Sequence, residues 1–430
     1  MALTGRAALA ALAGVLGLLA FRLVIALVVI DGAVLAAIAA DLAAAASVRQ
    51  LQLARSGDSR ILLGQSGSVQ LTLSNPSRRP LRGEVRDGWP PSAGAAPRRA
   101  RVQVPAGGRI TLTTTITPQR RGDALAGPVT VRSLGPLGLA GRQGSHRCFW
   151  VIRVLPPFGS RRHLPEKLAQ LRLLDGQHRS LLRGQGSEFD SLRSYVLGDD
   201  VRSIDWRSTA RASDVMVRTW RPERDRRIVI VLDTGRTSAG RVDGVPRLDT
   251  SMDAALLLAA LASHAGDRVD LLAIDRRVRA RVVRVSGSGV LAAVTDAMAV
   301  LDAELIESDM GLIASSVLVI ARQRSLVVLL TDLHPAAVED GLLPRLGQLT
   351  ARHQLLVAAV ADPRLAQLAA GRGDSSAVYA AAAAERATAE RSRVSAALRQ
   401  RGVVVVDAPP GRLPSALADA YLSLKAAGRL

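Results

Sequence analysis

Asp233 and Asp332 each end a run of apolar residues, Ile228-Val-Ile-Val-Leu232 and Leu326-Val-Val-Leu-Leu330. In an open α/β sheet, ligand sites form beyond the carboxyl ends of the strands, so both carboxylates are candidates to face a ligand or a partner. Thr237 lies four residues past the first of them. Upstream runs the densest charge in the chain: Glu188, Asp190, Arg193, Asp199, Asp200, Arg202, Asp205, Arg207 and Arg211. Phe189, Leu192, Tyr195, Ile204 and Trp206 interrupt it as apolar anchors. Arginine–carboxylate forks are rigid and bidentate, so this segment is expected to be a polar brace clamping itself to the neighbouring domain. A partner or ligand surface is the alternative. Other chemistry finds no support. The six histidines show no metal-ligand spacing. Ser286-Gly-Ser-Gly289 lacks the Gly-x-Ser-x-Gly elbow of a hydrolase nucleophile. Gly184-Gln-Gly186 has no clear strand before it and no Gly-Lys-Ser/Thr after it, as a phosphate loop requires. One cysteine, Cys148, excludes an intramolecular disulfide and a cysteine metal cluster. No enzyme is therefore expected.

The elements that would position these residues follow from periodicity. From residue 226 to 430, apolar runs alternate with helical stretches, which predicts a doubly wound, mostly parallel α/β sheet. Residues 380–400 are expected to form a solvated or packing helix. Residues 58–156 hold short alternating strands punctuated by Gly and Pro, among them Ser68-Val-Gln-Leu-Thr-Leu73 and Arg109-Ile-Thr-Leu-Thr-Thr-Thr-Ile116, and predict a small β-sandwich. Residues 157–225 are assigned to a linker and the charged segment. Residues 1–48 are a candidate transmembrane hairpin. The apolar stretch is about twice the roughly 20 residues of one span, and Phe21-Arg22 falls near its middle. A single span followed by an interfacial helix would leave Arg22 in hydrocarbon, at about 2.5–3.5 kcal/mol on insertion scales. A cleaved signal peptide would be shorter and would end in small residues at a cleavage site. Arginines at both ends of the segment predict a soluble part in the cytoplasm.

The formal charge of +20 invites a nucleic-acid partner. The arginines are spread along the soluble part instead of forming one stripe, and aromatics that could stack on bases make up only 3%. Nucleic acid is thus an unlikely partner, and membrane lipid headgroups or other anions fit better.

The loop Asp233-Thr-Gly-Arg-Thr237 resembles the Asp-x-Ser-x-Ser loop of von Willebrand factor A domains, which binds a divalent cation. Asp233 and Thr237 match its first and third positions, and Asp332 matches the later aspartate; Gly235 stands where the middle serine belongs. The resemblance implies a degenerate Mg²⁺ site, with weak or absent binding that Gly235→Ser would improve. The charged segment resembles the signature of the bacterial family called domain of unknown function 58. The matching residues are Gly184, Glu188-Phe189, Leu192-Arg193, Tyr195, Gly198-Asp199-Asp200, Arg202, Ile204-Asp205-Trp206 and Ala210-Arg211. Arg120-Arg121-Gly122 and Gly135-Pro-Leu-Gly-Leu139 also look like that family. By resemblance the chain is a membrane-anchored, non-catalytic scaffold that presents a client complex to a MoxR-type AAA ATPase, alongside a transglutaminase-like membrane protein. The alternative is a metal-dependent adhesion or sensor module. On the adaptor expectation the strand-end rim docks the partner, with Asp332 free to accept its arginines, and Trp206 is a buried anchor of the brace.

Overall fold

The structure, a computed structural model, describes residues 2–12, 24–181, 188–221, 226–285, 287 and 289–430, and divides into two compact units, residues 1–155 and 156–430.

In the first unit, the helix Val24–Ala44 is long and apolar enough to cross a membrane, at 21 residues. It would be about 31 Å long, close to the hydrocarbon thickness. The expected turn at Phe21-Arg22 lies outside the described residues. Both sides of that gap meet the same sheet turn. Ala2–Leu3 pairs antiparallel with Ala140–His146, and Thr4 Oγ1 donates to Gly138 O at 2.7 Å. Asp41, fully buried near the end of the helix, accepts the backbone N–H groups of Leu137 (2.8 Å), Leu139 (2.6 Å) and Ala140 (3.1 Å). A carboxylate that collects three N–H groups fixes a turn that would otherwise bury orphan donors. A Cβ at Gly135 would overlap the Asp41 carboxylate, so the turn needs glycine there.

The β-rich part begins at Gln52, six residues before its expected start, and closes at Leu155. It has a five-stranded sheet and two three-stranded sheets. Strand Gly67–Ser74 shows why: Val69, Leu71 and Leu73 are buried while their neighbours face outward. Arg55, one of the arginines counted toward membrane orientation, is buried here instead. Its guanidinium pairs with Asp87 at 2.5 Å, and Asp87 also accepts from Trp89 and Thr114.

The second unit is built on six strands: β1 (Arg227–Asp233), β2 (Arg268–Ile274), β3 (Val278–Val282), β4 (Leu326–Leu330), β5 (Gln354–Val360) and β6 (Val404–Ala408). Their order is β3-β2-β1-β4-β5-β6, parallel except for the edge strand β3. The chain builds outward from β1 to one edge, then returns beside β1 and builds to the other. The helices are α1 (Arg247–His264), α2 (Gly289–Ala299), α3 (Met310–Ile320), α4 (Leu343–Thr350), α5 (Ser375–Gln400) and α6 (Leu413–Ala426). One core packs α1, α2 and α6 on one face of the sheet, and the other packs α3, α4 and α5 on the opposite face. Covered on both sides, Ile228 to Leu232 have no exposed surface, which is why the run is apolar without alternation.

This unit starts well before residue 226. The helix Leu164–Leu181, expected as linker, puts Leu171 into the core beside α1 and α6. Ser160 holds Asp253 of α1, and Lys167 pairs with Asp419 of α6 at 2.7 Å. The only other lysine, Lys425, is buried against Asp267 at 3.2 Å. Residues Glu188–Ser194 and Met216–Arg221 form an antiparallel hairpin.

Candidate functional site

Because the strand order reverses between β1 and β4, their carboxyl ends open the crevice where Asp233 and Asp332 emerge. Asp233 is 1% exposed and is the centre of a hydroxyl cluster. Its Oδ1 accepts the Gly235 N–H at 2.9 Å and the Ser308 hydroxyl. Its Oδ2 accepts Thr331 Oγ1 at 2.5 Å and Thr237 Oγ1 at 3.4 Å. Asp233 and Thr237 therefore meet as expected. Ser308 and Thr331 were missed by the sequence reading. Ser308 stands just before Asp309, the N-cap of α3, and no local spacing ties it to Asp233, 75 residues away.

Ser308 also explains Gly235. A Cβ at 235 would overlap the Ser308 hydroxyl and sit 2.9 Å from Ile306 O. The hydroxyl absent from position 235 is supplied from another loop, and a serine there has no room. Asp233, Thr237 and Ser308 open into a cleft of about 250 Å³, with Asp340 and His334 on its far wall.

Asp332 does not join that cluster. Its two oxygens take Arg247 Nη1 of α1 at 2.5 Å and Arg391 Nη1 of α5 at 2.6 Å. Arg391 also forks onto Asp407 near the end of β6, with both bonds at 2.7 Å, and donates to Val360 O at 3.1 Å. Burial works against its charge, but Asp407 and Asp332 more than offset that and raise its pKa above the ordinary arginine range. The helix expected to be a packing element thus plugs the rim across three strand ends. The carboxylate expected to receive a partner's arginines already holds two of the chain's own. Asp332 is spent in this way and does not reach the cleft that Asp233 shares with Asp340 and Glu307. Among the described residues, no three His, Cys, Asp or Glu side chains group as metal ligands.

The charged segment is different in kind. Gly184 lies outside the described residues, as do the side chains of Glu188 and Phe189. The rest forms a turn held by its own charges. Arg193 pairs with Asp199 at 2.6 Å, and Asp199 accepts the Val196 N–H. Asp200 accepts the Arg202 N–H, and Asp205 accepts Ser208 N–H and Arg218. Gly198 takes φ +109°, which permits the bend. Ile204 bridges to Val217, and Leu192 and Tyr195 are half-buried. Ala210 and Arg211 are exposed. Trp206 is 70% exposed and Leu197 97% exposed, with Val196 and Val201 exposed beside them. The indole expected as a buried anchor faces solvent instead and is not part of a core cluster.

Residues 191–402 match the model of the family described as Protein of unknown function DUF58. Uncharacterized proteins of Mycobacterium bovis and Mycobacterium tuberculosis are 28% identical over 199 residues, which is 46% of this chain and 62% of theirs. The match therefore spans less than two thirds of the length of those relatives. Among solved structures, the CARDB domain of a Pyrococcus furiosus protein in complex with di-metal ions aligns with 24% of this chain and 87% of its own (12% identity, TM-score 0.19). A β-glucosidase from Listeria innocua in complex with glucose aligns with 23% of this chain and 16% of its own (17% identity, TM-score 0.16). At such scores neither likeness bears on fold or function, and the similarity that counts is to the DUF58 family over residues 191–402.

Proposed function

We propose that this chain is a membrane-anchored, non-catalytic adaptor with a von Willebrand factor A-like α/β unit, and that it docks a protein partner through the hairpin turn at residues 191–218. The observation that carries this is the exposure of Trp206, Leu197, Val196 and Val201 on a turn whose own salt bridges hold its shape. Exposed tryptophan with arginine is the composition of protein hot spots. That turn has five arginines against four aspartates, so its near-neutral charge suits a protein better than a polyanion. By the resemblance described above, the proposed partner is a MoxR-type AAA ATPase. The meeting of residues 2–4 and Asp41 at one turn supports a hairpin anchor with both ends on the same side, which we place in the cytoplasm.

The test is capture of a MoxR-type ATPase from the same organism by the full-length protein in mild detergent. Trp206→Ala and Arg202→Ala should each weaken capture while the protein stays folded. Normal capture by both would remove the hairpin from the account. For orientation, a reporter active only outside the cytoplasm, fused after residue 60, should be silent.

One observation favours the metal-dependent module as a second reading: Ser308 restores a hydroxyl beside Asp233 and Thr237. These three residues would hold Mg²⁺, against the pull of Arg247 and Arg391 on Asp332. Calorimetric Mg²⁺ binding that is tight in the unmodified protein and lost in Asp233→Ala would favour that reading.

A further inference from the structure

A second cleft, of about 400 Å³, opens at the opposite end of the same sheet. Four arginines line it: Arg227 where β1 begins, Arg281 on β3, Arg284 just after β3, and Arg322 just past α3. One carboxylate organises its back wall. Asp270 accepts Arg227 Nε at 2.5 Å through Oδ2 and the backbone N–H of Arg284 at 3.1 Å through Oδ1. Arg227 also donates to Ile320 O at 2.8 Å, closing the gap between β1 and α3. Arg284 has φ +61°, a conformation that costs a residue with a Cβ and is held here by the Asp270 bond. Among the described residues, the guanidiniums of Arg281, Arg284 and Arg322 have no hydrogen-bond or ion-pair partner. Among the described residues no carboxylate lines the cleft, and Asp270 behind it is consumed by Arg227 and Arg284, so the exposed side chains of Arg281, Arg284 and Arg322 border the cleft with their charge unpaired.

We infer that this cleft binds a ligand carrying a phosphomonoester or pyrophosphate group, with room beside it for a small apolar portion. Three unpaired guanidiniums bordering one cleft suit a ligand with at least two negative charges, and a phosphate accepts paired arginine bonds in the geometry that arginine offers. A single carboxylate would pair with only part of that charge. Val283, Val319 and Ile320 line the same cleft and meet the apolar portion. Among the described residues no aromatic side chain lines it to stack on a nucleobase. The ligand class spans two sources, the phosphate headgroup of a lipid and a soluble pyrophosphate.

The test is calorimetric titration of the full-length protein in a non-ionic detergent, with dihexanoyl phosphatidic acid and with inorganic pyrophosphate as separate probes. The wild type should bind at least one, and which one identifies the source. Arg281→Ala/Arg322→Ala should lose about tenfold or more in affinity for that probe, as expected when charge-assisted bonds are removed. Arg284→Gly keeps the backbone conformation, so its loss of binding reports the guanidinium alone. Arg352→Ala, at an exposed arginine outside the cleft, should bind as wild type. Binding of neither probe by the wild type would overturn the inference. So would wild-type affinity in the double variant, or an equal loss in Arg352→Ala.

Discussion

At the strand ends, Asp233 and Asp332 are nearly buried and every oxygen has an internal donor; in the hairpin turn, Asp199 and Asp205 are bonded just as fully, yet Trp206 and Leu197 stand in solvent. Both regions are dense in arginine and aspartate, and sequence alone assigns them opposite duties from those their geometry suits. The difference lies in where the partners come from. Asp332 recruits arginines from two helices distant in the chain, so its charge ties the unit together. Asp199 and Asp205 recruit residues within the same turn, so theirs holds only the turn and leaves its apolar face open. Charge density does not tell which pairs tie distant elements together; the sequence separation of the pairs does.

The comparison breaks most readily at Asp332. Asp332→Ala leaves Arg247 without its carboxylate while Arg391 keeps Asp407, and should cost about 2–3 kcal/mol, less than the full range for breaking a buried pair. The melting temperature of the full-length protein in detergent measures it, and an unchanged melt would show the rim to be looser than described. Gly235→Ser should cost about 1–3 kcal/mol by overpacking against Ser308, instead of completing a cation site. Gly235→Ser/Ser308→Gly should recover most of that loss in the same melt.

His353 sharpens the contrast from a third side, being buried with no partner for either ring nitrogen among the described residues. Burial first, then the nearby Arg352 charge, lower its pKa below the ordinary 6.5. The unfolded chain therefore takes up the proton first. Its contribution to stability is complete above about pH 6.5 and is lost as pH falls from there through the depressed value. Melts from pH 7.5 to 5 should fall less steeply in His353→Leu than in the wild type. The smallest effect belongs to the hairpin: Trp206→Ala should shift stability within about 0.5 kcal/mol, as at an exposed site.

Much of this was legible in the sequence. The apolar runs placed Asp233 and Asp332 at strand ends, and alternation placed the β-rich unit. What was not legible depends on distant pairing. Ser308 lies 75 residues from Asp233, and Arg391 lies 59 residues past Asp332 in an Ala/Arg/Glu helix with no local mark of its role. Trp206 misled because a large apolar residue among charges carries no sign of its exposure. The helix Leu164–Leu181 resembles a linker in sequence because its core contacts are made by a few leucines in a polar stretch.

The central claim, docking through the hairpin and not through the rim, is tested most directly by site-specific photocrosslinking in cells. A photoreactive residue is placed at Leu197 in one variant and at His334, on the rim cleft, in another. The account predicts a crosslinked ATPase from position 197 and none from 334. A crosslink from 334 with none from 197 would contradict it.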